Sequence, residues 1–172
     1  MIDYGLFSFA TPPLTGEGWW IKAAQIVGLG TALPDRVHNS WPPNYKDNLR
    51  VTQVCHPVSW LRAFFDQPWN GCSPLVGIKA DSFESFVRQY LIDCPGVVSR
   101  LFGLYRADVV QRAEDQPHAF WQFAETMGVS EVMYGNLLNL NPPYMLAFGT
   151  PRWIYNEVRQ AEPDLFDAYD YW

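Results

Sequence analysis

Two short loops of this sequence carry residue types that could bind or transfer a charged group. The first contains Thr15, Gly16, Glu17, Gly18 and Trp19, and it lies between an apolar run and a helical pattern. Backbone N–H groups of a glycine-containing loop, backed by the N-terminus of a helix, can bind an anion. We therefore expect the first loop to hold an anionic group through its amides.

The second loop, Cys55-His56-Pro57, follows a β-branched run. His56 is a candidate catalytic residue, since an imidazole can act as a general base near neutral pH. The simpler interpretation, which the sequence favours, is a turn that leads into a helix with Pro57 in its first turn. Cys55 is predicted to be a buried small residue rather than a nucleophile. Arg62 could donate hydrogen bonds to a bound anion, or it could pair weakly with Asp66 on the same helix.

Arg112 and Glu114 form a third candidate group at the end of another predicted strand. A cation and a carboxylate at that position could contact a substrate. Alternatively, the two side chains could pair with each other or cap the following helix.

Other common catalytic patterns are absent from the sequence. The three histidines, His38, His56 and His118, lack the spacing of zinc ligands, so we predict no metal site. The chain has neither the full Walker signature of nucleotide hydrolases nor the Gly-x-Ser-x-Gly turn of serine hydrolases. The three cysteines are odd in number, which favours a reduced intracellular compartment.

Composition narrows the classes of partner. The 172-residue chain carries a net charge of −6, and no run of basic residues occurs in it. Because nucleic-acid binding depends on clustered cations, we predict no nucleic-acid partner. Aromatic residues make up 16% of the chain, which indicates either a large aromatic core or an aromatic-rich surface for a protein partner. The oligomeric state stays open.

The sequence shows no run of about 18 apolar residues and no leader pattern at its start. We therefore predict no membrane span, no signal peptide and a cytoplasmic location.

Strands and helices are predicted to alternate along the chain. The strands are expected at residues 6–11, 51–55 and 108–112, and the helices at 19–29, 58–66, 82–92, 95–105, 116–127 and 152–162. This order favours a three-layer α/β/α fold with a mostly parallel central sheet, in one domain over residues 1–172. Because ligands bind at the carboxyl ends of parallel strands, the first two loops are expected to face one site.

Three segments carry a family resemblance in order along the chain. Residues 13–19 read PLTGEGW, residues 55–65 read CHPVSWLRAFF, and residues 110–115 read VQRAED. They resemble, in turn, the Pro-Lys-Ser-Gly-Thr-Thr-Trp loop, the Arg-His-Pro strand end with its helix, and the Arg-Tyr-Glu-Asp turn of P-loop sulfotransferases. The resemblance is especially to the short sulfotransferase-like proteins of phages and bacteria.

The resemblance implies the same fold and a donor, 3′-phosphoadenosine 5′-phosphosulfate, if the protein is active. The first loop would hold the phosphosulfate, the second motif would hold the 3′-phosphate, and an acceptor hydroxyl or amine would attack the sulfur. The implied cofactor-binding residues are Thr15, Gly16, Glu17, Gly18, Trp19 and Arg62. Arg112 and Glu114 would be the substrate-binding residues.

The sequence departs from the family at the residues that would grip the donor. Leu14 stands where the family loop has Lys, and Glu17 brings a negative charge into the loop. A like-charge contact at a few ångströms costs roughly 1–4 kcal/mol at effective dielectric constants of 80 to 20. Cys55 and Ala63 stand where the second motif has Arg and Ser.

Two functions remain open from the sequence. The chain could be a sulfotransferase-like domain that has lost donor chemistry and serves as a binding or structural module, with a phage-derived origin and a host-cytoplasm location. Alternatively, it could be an active sulfotransferase whose site is rebuilt with His56, Arg62 and Lys22. The sequence favours the first function, because it explains the missing charges without further assumptions.

Overall fold

The structure is a computed structural model, and it describes residues 1–30, 38, 40–41, 48–141 and 149–171. The chain divides into two compact units. The sheet unit comprises Met1–Cys55 and Leu104–Met145, and the helical unit comprises His56–Gly103 and Leu146–Trp172. The single domain over residues 1–172 stays a prediction, because each unit is assembled from two separate stretches of the chain.

The described part of the sheet unit contains a mostly parallel sheet. Its strands, in spatial order, are β1 (Ile2–Asp3), β2 (Phe7–Phe9), β3 (Leu49–Val54) and β4 (Val109–Arg112). The parallel neighbours β2, β3 and β4 correspond to the strands predicted at 6–11, 51–55 and 108–112. The α/β class with a mostly parallel sheet is therefore confirmed.

Strand β1 was not predicted, and it pairs with β2 in the antiparallel direction. Two residues are too few to show an alternating pattern, so the hairpin depends on its turn. There the Tyr4 amide donates to the Phe7 carbonyl at 2.9 Å, and Gly5 adopts a φ of 84° that favours glycine. The Asp3 carboxylate accepts the Gly5 N–H at 2.8 Å and completes the turn.

Helices connect and follow the strands. In chain order they are α1 (Glu17–Ile26), α2 (Pro57–Asp66), α3 (Ser73–Val76), α4 (Phe83–Asp93), α5 (Val97–Gly103), α6 (His118–Thr126), α7 (Tyr134–Leu138), α8 (Arg152–Ala161) and α9 (Pro163–Tyr169). The six predicted helices are confirmed with small shifts at their ends. Helices α3, α7 and α9 were not predicted. Helices α3 and α7 are too short to show a periodic pattern, and the proline at the start of α9 usually indicates the end of a helix, although proline also suits a first turn.

Trp20 lies at the centre of the aromatic core in the sheet unit. Its side chain is fully buried, and its ring stacks on Phe9 with 3.9 Å between ring centroids. Phe120 and Phe7 pack edge-on against the same indole at 5.2 and 5.8 Å. Aromatic pairs in these geometries add stability beyond the area that they bury.

The helical unit has its own aromatic core, and the start of α4 illustrates how the sequence sets its helices. Trp60 and Phe64 on α2 are buried, and the Phe64 ring stacks near Phe86 of α4 with 6.2 Å between centroids. Ser82 and Ser85 form a reciprocal capping box at the start of α4, as their spacing allowed.

The described aromatic side chains of both units are buried or half-buried. The large exposed hydrophobic residues among those described are instead aliphatic, namely Leu6, Val76, Ile92, Leu104, Val110 and Leu138. The described aromatic residues therefore lie in the two cores or at their edges, and the protein partner stays a prediction.

An ion pair aligns the starts of β3 and β4, and we expect it to add little stability. Arg50 Nη2 donates to Asp108 Oδ1 at 2.7 Å, and Asp108 Oδ2 accepts from Arg50 Nε and from the Arg50 amide. The hydrogen bond from Arg50 lowers the pKa of Asp108, but both side chains remain in contact with solvent, with 35% and 42% of their surface exposed. We predict that Asp108→Asn costs under about 1 kcal/mol in urea unfolding at pH 7; a loss above 2 kcal/mol would contradict this.

Candidate functional site

The first loop is fixed to the sheet by buried hydroxyl groups. The Thr11 hydroxyl donates to the Gln53 carbonyl at 2.6 Å, and the Thr15 hydroxyl donates to the Pro12 carbonyl at 2.8 Å. The two hydroxyl oxygens lie 2.6 Å apart, and both side chains are fully buried. The hydroxyl of Thr15 is thus used inside the protein, where it sets the shape of the loop.

Gly16 turns the chain from the loop into α1. Its φ is 84°, in the left-handed region that glycine adopts without strain. The amides of Trp19 and Trp20 donate to the Gly16 carbonyl at 3.0 and 3.4 Å, while Gly18 is exposed in the first turn. The Trp19 amide, which we expected to face an anion, therefore has an acceptor within the protein.

Glu17, the first residue of α1, turns its carboxylate back onto the loop. Its Oε2 atom accepts a hydrogen bond from the Thr15 amide at 3.2 Å. Its Oε1 atom lies 3.4 Å from Nε2 of His38, and Nδ1 of His38 lies 3.3 Å from the Thr11 carbonyl oxygen. The carboxylate of the protein itself thus occupies a position where a bound anion would meet a loop amide.

A buried glutamine network lies beneath the loop, and the sequence analysis missed it. The side-chain Nε2 atom of Gln53 donates to the Thr15 carbonyl, and the Trp20 indole donates to Gln111 Oε1 at 2.8 Å. The side-chain Nε2 atom of Gln116 lies 3.3 Å from Gln53 Oε1 and 3.4 Å from Gln111 Oε1. Loop, sheet and α1 are therefore joined by hydrogen bonds among nearly or fully buried groups.

Arg112 and Glu114 both lie at the carboxyl end of β4. Arg112 Nε donates to Asp115 Oδ2 at 2.6 Å, three residues along the chain. Both Arg112 and Glu114 are half-buried. The structure thus gives Arg112 a local carboxylate partner, and the substrate-binding role of the two residues stays a prediction.

His56 belongs to the helical unit and caps α2. Its Nδ1 atom accepts a hydrogen bond from the Val58 amide at 3.1 Å, so the neutral imidazole carries its proton on Nε2. The rings of Tyr155, Phe166 and Tyr171 surround it with centroid distances of 5.1–5.4 Å. Burial lowers the pKa of His56 to about 4. These contacts favour the turn that leads into a helix over general-base catalysis.

Arg62 lies on the same helix as His56 and pairs with Asp66, one of the two alternatives that its spacing allowed. Arg62 Nε donates to Asp66 Oδ2 at 3.1 Å, and the guanidinium lies 5.1 Å from the Phe83 ring centroid. Arg62 also lines a cavity of about 250 Å³ together with Ser82 and Thr150. It is exposed and has a carboxylate neighbour of its own.

The three cysteines are free and buried. The Cys55 thiol lies 3.9 Å from the Leu14 carbonyl oxygen, in the interior that was expected for it. Burial raises the pKa of Cys72, and it raises the pKa of Cys94 to about 11. Because the thiolate is the reactive form, Cys72 and Cys94 are poor nucleophiles at neutral pH.

No protein-family model, curated protein or solved structure matches this chain significantly. The resemblance to P-loop sulfotransferases therefore rests on the sequence motifs alone.

Two further observations concern only the described part of the chain. None of its helices is long and apolar enough to cross a membrane. No group of three or more His, Cys, Asp or Glu side chains in that part could hold a metal ion.

Proposed function

We propose that this chain is a sulfotransferase-like domain, with the three-layer α/β/α arrangement, that does not carry out sulfate-donor chemistry. It serves instead as a binding or structural module of phage-derived origin. The observation that carries this proposal is the carboxylate of Glu17, which accepts the Thr15 amide of the loop that would otherwise receive the donor.

The Glu17 carboxylate opposes an anionic donor in two ways. It uses a loop amide that a phosphate oxygen would need, and it adds a negative charge next to the bound phosphate. The contact between its Oε1 atom and His38 holds the carboxylate at the loop. A donor would have to displace this internal ligand without gaining a cation, because Leu14 stands at the position of the family lysine.

The helical unit supports the same proposal from the second motif. His56 uses Nδ1 to cap α2, and Arg62 is paired with Asp66. A preorganised cation or donor is typically worth about a hundredfold or more in rate. An active site would need both side chains to give up these contacts in the reaction.

The proposal predicts no measurable affinity for 3′-phosphoadenosine 5′-phosphate, the product nucleotide of sulfate transfer. In calorimetric titration of the full chain, we expect no binding heat with millimolar ligand. Glu17→Gln keeps an oxygen for the Thr15 amide but removes the charge. We expect this variant to give binding heat that the wild type lacks, because loss of a like-charge contact that costs roughly 1–4 kcal/mol raises the affinity about fivefold or more.

Glu125→Gln on α6 is the matched control, since it removes an exposed carboxylate without touching the loop. It should bind as the wild type does. Binding of the nucleotide to the wild type at micromolar strength, about −8 kcal/mol, would contradict the proposal and call for a screen of acceptor substrates. An unchanged affinity in Glu17→Gln would show that the Glu17 carboxylate is not what excludes the nucleotide.

A further inference from the structure

The helical unit contains a cavity that none of the sequence motifs predicted. Its volume is about 310 Å³, and it is lined chiefly by apolar side chains from the region between α2 and α4. The lining includes the buried residues Phe64, Leu75 and Phe86, and the more exposed Phe65 and Val76. Small-molecule sites typically have volumes of roughly 300–1,000 Å³ and mostly apolar linings, so this cavity suits only a small ligand.

Phe65 is the one phenylalanine of the lining that is only half-buried, since Phe64 and Phe86 are almost fully buried. Its ring centroid lies 5.6 Å from that of Phe86, with the planes tilted by 49°, so the core holds it in place. The accessible side of Phe65 can meet a further ring in an offset-stacked or edge-to-face contact. A flat aromatic body would therefore suit this side of the lining.

Two opposite charges lie among the lining residues, namely Lys79 and Asp81. Both side chains are exposed, and neither forms an ion pair in the part of the chain that the structure describes. A ligand with only a carboxylate would be attracted by Lys79 but repelled by Asp81. A ligand with only an ammonium group would be attracted by Asp81 but repelled by Lys79. A zwitterion satisfies both charges.

We propose that this cavity binds a free aromatic α-amino acid. The ring packs against Phe65, the carboxylate pairs with Lys79, and the ammonium group pairs with Asp81. The paired charges distinguish the amino acid from fatty acids and simple amines.

L-phenylalanine is the probe for the test, in calorimetric titration of the full chain. We expect a Kd of about 0.1–1 mM. Three analogues each remove one feature: 3-phenylpropionate lacks the ammonium group, phenethylamine lacks the carboxylate, and L-alanine lacks the ring. The two analogues that lack one charge should bind more weakly by up to about fivefold, because contacts with exposed charges contribute under about 1 kcal/mol. L-alanine should give no binding heat, because it lacks the ring whose burial contributes most.

Two charge variants assign the contacts to particular side chains. Lys79→Gln should weaken L-phenylalanine by up to about fivefold and strengthen phenethylamine, because it removes the charge that repels the ammonium group. Asp81→Asn should weaken L-phenylalanine similarly and strengthen 3-phenylpropionate, because it removes the charge that repels the carboxylate. Both positions are exposed, so the variants are expected to fold, which circular dichroism checks.

A steric pair of variants tests the location. Val76→Trp places a large side chain at the cavity and should abolish binding, whereas Ile92→Trp, at another exposed aliphatic position of the helical unit, should not change it. The proposal is overturned if wild-type protein gives no heat with millimolar L-phenylalanine. It is equally overturned if Val76→Trp binds as the wild type does, or if the analogues match L-phenylalanine.

Discussion

Replacing Glu162 with alanine is expected to lower the free energy of unfolding by about 4 kcal/mol. Glu162 is fully buried between α8 and α9, and its carboxylate accepts three hydrogen bonds. The donors are the Tyr90 hydroxyl, the Val98 amide at 3.1 Å and the Ser99 amide at 2.8 Å. Alanine would leave these groups without their acceptor, at about 1–3 kcal/mol for each one that stays buried.

The Tyr90 hydroxyl is the side-chain donor among these three. Burial and the neighbouring Glu162 carboxylate both raise the pKa of Tyr90, so the phenol keeps its proton and remains a donor. Tyr90→Phe removes only this donor and should cost about 1–2 kcal/mol. Glu162→Gln keeps one side-chain oxygen but turns an NH₂ group towards backbone donors, so its cost should lie between those of the two other variants.

Urea unfolding followed by circular dichroism measures these costs. Glu157→Ala on α8 is the matched control, because it removes an exposed carboxylate and should change stability by under about 0.5 kcal/mol. The double variant Tyr90→Phe/Glu162→Gln should be less destabilised than the sum of its parts, since the two groups share a hydrogen bond. A loss below 1 kcal/mol in Glu162→Ala would show that water replaces the carboxylate in solution.

The sheet could be predicted because its strands leave local signals. β2 and β3 are short apolar or β-branched runs that end near proline or histidine-proline turns, and their burial follows from that composition. The parallel direction follows from the helices that separate the strands. β1 could not be predicted, since its two residues pair only after the turn at Gly5 has formed.

The buried polar contacts could not be predicted, because they join residues far apart in sequence. Gln53 and Gln111 were visible as polar residues in apolar strands, but only the strand register places them opposite each other. Glu162 contacts α4 and α5, more than 60 residues away along the chain. Charge and residue type suggest that such groups need partners, but they do not identify them.

The sequence singles out the first loop as a candidate site, but it does not show the contacts within that loop. The sequence shows a carboxylate at Glu17 within an anion-binding type of loop, from which repulsion of a phosphate follows. It does not show that this carboxylate accepts the Thr15 amide or that His38 lies 3.4 Å away. Those contacts depend on the loop geometry that Thr11 and Gln53 set from the sheet.

His56 is expected to make the stability of the protein fall as the pH drops from about 6.5 to 4. Burial among Tyr155, Phe166 and Tyr171 lowers the pKa of His56 to about 4 in the folded state, whereas the unfolded chain has a value near 6.5. Between these values the unfolded chain binds a proton at His56 and the folded protein does not. The free energy of unfolding therefore decreases with falling pH in this window, by up to about 3 kcal/mol in total, and this contribution is constant above it.

The variant His56→Asn tests whether His56 causes this pH dependence. Asparagine is a good N-cap, and its side-chain oxygen can accept the Val58 amide in place of Nδ1 of His56. The variant cannot take up a proton at this position, so its stability, measured by urea unfolding at several pH values, should decline less than that of the wild type between pH 6.5 and 4. The difference between the two curves then isolates His56, because other groups titrate equally in both proteins.

His118→Asn is the matched control, since it makes the same substitution at a histidine that is exposed at the start of α6. It should follow the wild-type profile. If wild type and His56→Asn instead lose stability in parallel across this window, His56 is protonated in the folded protein near pH 6. The cap on α2 would then be open in solution, and Nδ1 of His56 would be available to take a proton from a substrate.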